Sequence, residues 1–219
     1  EDGLFIVGES DAKRDWPYVH PGPSDGWAGT RPHTFTIMFG LKAAPASGEC
    51  RLEVALVDTH SGGPPKVGIQ INGRVFERTL PAGGGDASIN GDPAKGRPHK
   101  FEIAFPSSLL RTGDNDVQIT TLSGSWMLYD SLALTTPAGA TLQPVASRTV
   151  VSRAQGVPAL CEKNGQATQP VLVTLRHFSD PVHASLRIEG APATPSKLQR
   201  GEGNPAVAQV IQIIGGLAG

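Results

Sequence analysis

Lys66-Val67-Gly68-Ile69-Gln70-Ile71-Asn72-Gly73-Arg74-Val75-Phe76-Glu77-Arg78-Thr79-Leu80 reads as strand, turn and returning strand. Val67, Ile69 and Ile71 occupy alternate positions, and a period of two turns every second side chain toward one face of a pleated sheet. Asn72-Gly73 then supplies the two residues that most readily take positive φ, which a two-residue hairpin requires. The same alternation recurs outward in both directions. Phe35, Ile37 and Phe39 mark one face of an earlier strand, and Leu52, Val54 and Leu56 another. Phe101, Ile103 and Phe105 follow, then Val117 and Ile119, and finally the stretch Ser125–Thr135. About seven or eight strands before residue 137 fit a two-sheet sandwich or jelly roll, so the expected fold class is all-β. Only Ser107–Arg111, after Pro106, reads as a helical turn, ended by Gly113 and the turn residues Asp114 and Asn115.

Composition agrees with this reading. The 219 residues include 27 glycines and 19 prolines, which interrupt helices and supply turns. Nineteen basic residues stand against twenty acidic ones, for a net charge of −1, and no run of Lys or Arg is present to follow a phosphate backbone. Nucleic acid is therefore not an expected partner. No stretch approaches the roughly 20 apolar residues that span a bilayer, so a membrane is not expected either and a soluble chain is. The chain opens on Glu1-Asp2-Gly3, so any secretion signal is removed already or lies outside it. Cys50 and Cys161 fall in different regions, and the expectation is that they are unpaired.

Thr136–Pro144 is small, uncharged and proline-bearing, the composition of a linker or loop. We place a boundary there, with one domain over residues 1–137 and a smaller segment over 138–219. In the second region Val171, Val173 and Leu175 are expected to face Val182, Ala184, Leu186 and Ile188 in a hairpin around Ser179-Asp180-Pro181. That pattern opens an immunoglobulin-like β-sandwich, and a segment too short for a thick core is expected to be an incomplete piece of one. The apolar tail from Val207 to Gly219 reads as a strand in need of a partner.

Functional residue types concentrate in Trp16–Gly29, which holds two of the three tryptophans, one of the two tyrosines and His20. Flat rings on a loop suit sugar recognition, because the C–H faces of a pyranose pack on them while polar neighbours exchange hydrogen bonds with hydroxyls. Trp16, Tyr18, His20, Asp25, Trp27 and Arg31 form the candidate carbohydrate-binding set, with Asp15 and His33 as further polar groups. A second reading stays open: Trp16 and Trp27 plug the end of the sandwich and fix the loop against it. Gly83–Asp92 reads as a flexible connection, since no Gly-Lys-Ser/Thr ending makes it a phosphate loop, but Asp86, Asn90 and Asp92 are placed to rim a sugar site. Asp58 and His60 invite a hydrolase reading that the absence of a nucleophile elbow argues against. Trp126 reads as core, and His177 with His183 lacks the further ligands a zinc site needs.

Trp16-Pro17-Tyr18-Val19-His20-Pro21-Gly22-Pro23-Ser24-Asp25, followed by the alternating strand at Phe35–Phe39, resembles the carbohydrate-binding-like C-terminal domain of family 4 polysaccharide lyases, the rhamnogalacturonan lyases. The Asn72-Gly73 hairpin with Leu80–Asp86, the element Phe105–Ile119 and the closing Ser123–Leu134 extend the resemblance over residues 3 to 135. The resemblance implies a galactose-binding-like jelly-roll β-sandwich attached to a catalytic domain in an extracellular, secreted or periplasmic, polysaccharide-degrading enzyme. It implies a non-catalytic module whose partners are plant cell-wall-type polysaccharides or oligosaccharides and that catalytic domain. The alternative is a spacer or docking domain that binds no sugar. Sandwiches of this type often pin their chain ends with a structural ion, so Glu9, Asp11 and Asp130 form a candidate calcium (Ca2+) set of hard oxygen ligands.

Overall fold

The computed structural model describes residues 2–146 and, beyond them, 149–156, 158–163, 166–177, 185–186, 194–195, 198–200 and 208–216. It divides into two compact units, Glu1–Ala146 and Ser147–Gly219.

The first unit contains β1 (Leu4–Ile6), α1 (Ala12–Asp15), β2 (Val19–His20), β3 (Thr34–Ala43), β4 (Glu49–Thr59), β5 (Lys66–Ile71), β6 (Arg74–Thr79), β7 (His99–Pro106), β8 (Gly113–Ser123), β9 (Met127–Thr135) and β10 (Thr141–Gln143). One sheet has the order β3-β8-β5-β6, and the other β2-β9-β4-β7. From β2 to β9, consecutive strands lie on opposite sheets, apart from the β5–β6 hairpin. That is jelly-roll order, with β1 and β10 added along the outer edge of β3. The core lies between the sheets: Phe39, Val67, Ile69, Ile71 and Val117 from one meet Leu52, Val54, Leu56 and Ile103 from the other. Each such side chain contributes about 1.5–3 kcal/mol on full burial, so the alternation in sequence is also the main source of stability.

The hairpin forms as expected, with Asn72 at φ 44° and Gly73 at φ 91°. Ser107–Leu109 makes the expected single turn. Helix α1 was not expected. Asp11 caps it, accepting from the Lys13 N–H at 3.0 Å and the Arg14 N–H at 3.2 Å, and an Asp before a polar turn was its signal in the sequence.

The unit boundary lies after Ala146, because Thr136–Pro144 is no free linker. Within it, β10 returns to β3, pairing Gln143 with Gly40, and Val145 is buried. Gly40 permits that approach: a Cβ there would stand 2.6 Å from the Gln143 carbonyl oxygen.

The second unit contains β11 (Thr149–Gly156), β12 (Cys161–Lys163), β13 (Gln166–His177), β14 (Ser185–Leu186), β15 (Thr194–Pro195), β16 (Leu198–Arg200) and β17 (Ala208–Gly216). Its main sheet runs β11-β13-β17-β16, with β12 also on β13. The expected hairpin of Val171–Leu175 with Val182–Ile188 is corrected: β11 and β17 take the two edges of β13, and Leu186 pairs with Thr194. The turn at Ser179–Pro181, His183 and the side chains of Cys161 and His177 lie outside the described residues. The apolar tail finds its partners, since β17 has β13 on one edge and β16 on the other. Cys50 is a buried free thiol, and burial pushes its pKa up.

Candidate functional site

Because strands β2 to β9 run back and forth, every second connection returns to the same end of the sandwich. The β2–β3, β4–β5, β6–β7 and β8–β9 loops therefore meet. Together they border an open cavity of about 320 Å³, lined by Asp25 and Trp27, His60, Asp86, Ile89 and Asn90, and Ser125 and Trp126, so all four loops contribute.

Hydrogen bonds hold the loops in place. Asp25 is buried; one carboxylate oxygen accepts from the Gly22 N–H at 2.7 Å and the other from the Ser125 hydroxyl, tying the β2–β3 loop to the β8–β9 loop. The Ser125 N–H donates to the Gly63 carbonyl at 2.8 Å, which adds the β4–β5 loop.

Asp58, at the end of β4, anchors the β6–β7 loop. Its buried carboxylate accepts from the N–H groups of Thr59 (2.9 Å), Gly84 (2.7 Å) and Arg97 (3.1 Å) and from the Ser88 hydroxyl (2.5 Å). Burial pushes this carboxyl upward, but these four donors outweigh it and hold its pKa below the usual carboxylate value. Gly83 lets the loop lie against β4: a Cβ there would sit 1.8 Å from the Thr59 carbonyl oxygen. The flexible connection read at Gly83–Asp92 is thus a pinned loop, and Asp58 is its anchor rather than a partner for His60. Tyr18 adds the last tie, its hydroxyl donating to the Ser88 carbonyl at 2.7 Å.

The structure separates the six candidate carbohydrate-binding residues. Trp27 stands 64% exposed at the cavity, and Asp25 lies in its wall. Tyr18 keeps its ring half exposed while its hydroxyl braces the neighbouring loop. Trp16 packs edge-on against Phe5, Phe35 and Tyr129, with centroids at 6.2, 5.2 and 5.2 Å.

His20 is fully buried and stacked on Phe35 at 3.8 Å, which removes it from any surface site. Its Nε2–H donates to the His33 carbonyl at 2.9 Å, leaving Nδ1 to accept from the Tyr129 hydroxyl at 2.8 Å. Burial pushes its pKa down to about 3. Arg31 is committed to Asp2 at 3.1 Å, where it tethers the start of the chain. His33, named as a further polar group, is buried, with Nε2 on the Ala28 carbonyl at 3.0 Å; Nδ1 lies 3.3 Å from Asp2 without hydrogen-bond geometry.

The site also gains a residue that sequence reasoning set aside. His60 Nδ1 accepts from the Gly62 and Gly63 N–H groups at 3.1 and 2.8 Å, so Nε2–H is its remaining donor. Of the three groups expected at the rim, Asp86 and Asn90 line the cavity, and neither side chain has a protein partner among the described residues, whereas Asp92 is outside the lining and pairs with Lys95. Trp126 is buried beneath His60, edge-on at 5.7 Å.

Among the described residues no three His, Cys, Asp or Glu side chains gather where they could hold a metal, so Glu9, Asp11 and Asp130 are not brought together as a set. The Asp11 carboxylate is engaged in capping α1, where it accepts from the Lys13 and Arg14 N–H groups.

A larger cleft of about 550 Å³ opens beside Trp16 and Tyr18, with Phe5, Val7, Ile37 and Leu132 as apolar walls and Lys13, Asp130 and Ser131 as polar ones.

Residues 1–134 match the family model described as CBM-like, polysaccharide lyase family 4, domain III. The chain belongs to this family. As a CBM-like domain of these lyases, the first unit is non-catalytic in type, with a carbohydrate-binding or accessory role. Solved structures similar to the chain include CBM35 from Cellvibrio japonicus Abf62, at 17% identity over 52% of this chain and 70% of that one, TM-score 0.33. Dimeric latent PorU from Porphyromonas gingivalis is similar at 14% identity over 84% of this chain and 17% of that one, TM-score 0.32. No curated protein matches. Among the described residues no helix is long and apolar enough to cross a membrane.

Proposed function

We propose that the four-loop cavity of this CBM-like domain binds a glycosyl residue without covalent chemistry, as an accessory site of an extracellular polysaccharide-degrading enzyme. The observation that carries the proposal is Trp27, whose large ring is mostly exposed at a cavity lined chiefly by polar residues. A sugar packs its C–H face on the indole. Asp86 then accepts from sugar hydroxyls, while Asn90 and the His60 Nε2–H donate to them. A solvated polyol gives up water hydrogen bonds on binding, so the affinity is modest and each unpartnered polar group on the rim counts. The partners are a plant cell-wall-type polysaccharide and the catalytic domain of the parent enzyme.

The test is a titration with pectic and hemicellulosic oligosaccharides followed by tryptophan fluorescence. A saturable change that disappears in Trp27→Ala, with the melting temperature kept, supports the proposal. A folded protein that answers no glycan overturns it and leaves a spacer or docking domain.

A further inference from the structure

Taking the cavity as a glycan site, we infer that it selects by charge, admitting neutral sugar residues and rejecting uronates. The inference rests on the proposed function, and the cavity lining carries it. The carboxylates of Asp25 and Asp86 are present, while among the described residues no Lys or Arg lines the cavity.

The basic groups of the flanking segments have other partners. Arg31 is on Asp2, Lys95 is on Asp92 at 3.3 Å, and Arg97 donates to the Ala82 carbonyl at 3.2 Å. The donors left for a ligand are neutral: the Asn90 amide, the His60 Nε2–H and the Trp27 indole N–H. A sugar carboxylate entering here exchanges water for two like charges with no cation to offset them. A hydroxymethyl or a methyl ester at the same ring position meets no such opposition. The domain would therefore read the neutral side chains or esterified stretches of a pectic polymer, and pass over its free-acid backbone.

Galactose oligomers, galacturonate oligomers and the fully methyl-esterified galacturonate oligomers separate charge from shape. Binding is measured at pH 7 in a chelator, so that no divalent ion bridges the carboxylates. The expected result is that the esterified oligomer binds at least about tenfold more tightly than its free acid. Added salt, which screens exposed charges, narrows the difference. Asp86→Asn also narrows it, and Asp86→Lys reverses it in favour of the acid. Equal or tighter binding of the free acid by the native chain overturns the charge inference while leaving the glycan site standing. An ester preference that Asp86→Lys leaves unchanged also overturns it. No binding of any oligomer by the folded protein overturns the site itself, and the inference with it.

Discussion

Replacing Asp58 by Asn tests whether one buried carboxylate builds the binding end of the first unit. Asn keeps the shape and one acceptor oxygen but exchanges an ionised acceptor for a neutral one. Hydrogen bonds to a charged group are worth about 1.5–3 kcal/mol and neutral ones about 0.5–1.5 kcal/mol, so the bonds from Thr59, Gly84 and Arg97 each weaken by roughly 1 kcal/mol. The Ser88 hydroxyl must also turn from donor to acceptor toward residue 58. The expected loss is about 3 kcal/mol, or about 10 °C in melting temperature for a unit of this size.

The pH dependence has a definite sign. The folded carboxyl titrates below its unfolded value of about 3.9, so its contribution is complete at neutral pH and drains away as pH falls through the folded value. Urea denaturation of native protein and variant, followed by circular dichroism at pH 7 and again near pH 3, reads both effects. The gap between the two proteins should shrink at the lower pH. A variant within about 1 kcal/mol of native at pH 7, with an unchanged urea slope, refutes the assignment of Asp58 as the anchor.

Two other perturbations have defined outcomes. His20 is held neutral in the fold but protonates freely when unfolded, so stability falls as pH drops below about 6.5; between pH 7 and 5 this one residue removes about 2 kcal/mol, which denaturation of His20→Gln should show as a flatter profile. Gly83→Ala drives a methyl group into the Thr59 carbonyl, for a loss of about 3 kcal/mol and of glycan binding together, and a thermal melt within a degree or two of native contradicts the close approach.

Much of the sandwich was legible in the chain. Val67, Ile69 and Ile71, like Leu52, Val54 and Leu56, are buried on the faces their alternation predicts, and Asn72-Gly73 turns where its positive φ angles allow. This works because side-chain direction in a strand is a local property, set by backbone geometry residue by residue. The pairing of β13 was not legible, since which apolar strand takes which edge depends on topology and not on alternation. The roles of the aromatic residues were equally hidden. Trp16 and Trp27 stand close together in sequence on either side of β2, yet Phe5, Phe35 and Tyr129 pack edge-on against the first while the second is largely exposed.

By itself, the sequence determined the all-β class, the strand faces and the hairpin turn, because each follows from interactions between near neighbours. Only the tertiary structure decided that Trp27 rather than Trp16 stands at the four-loop cavity, that His20 and Arg31 are structural, and that Asp25, His60, Asp86, Asn90 and Ser125 share that cavity. Those residues come from loops far apart in the chain, and the back-and-forth course of the strands between two sheets is what returns every second loop to the same end.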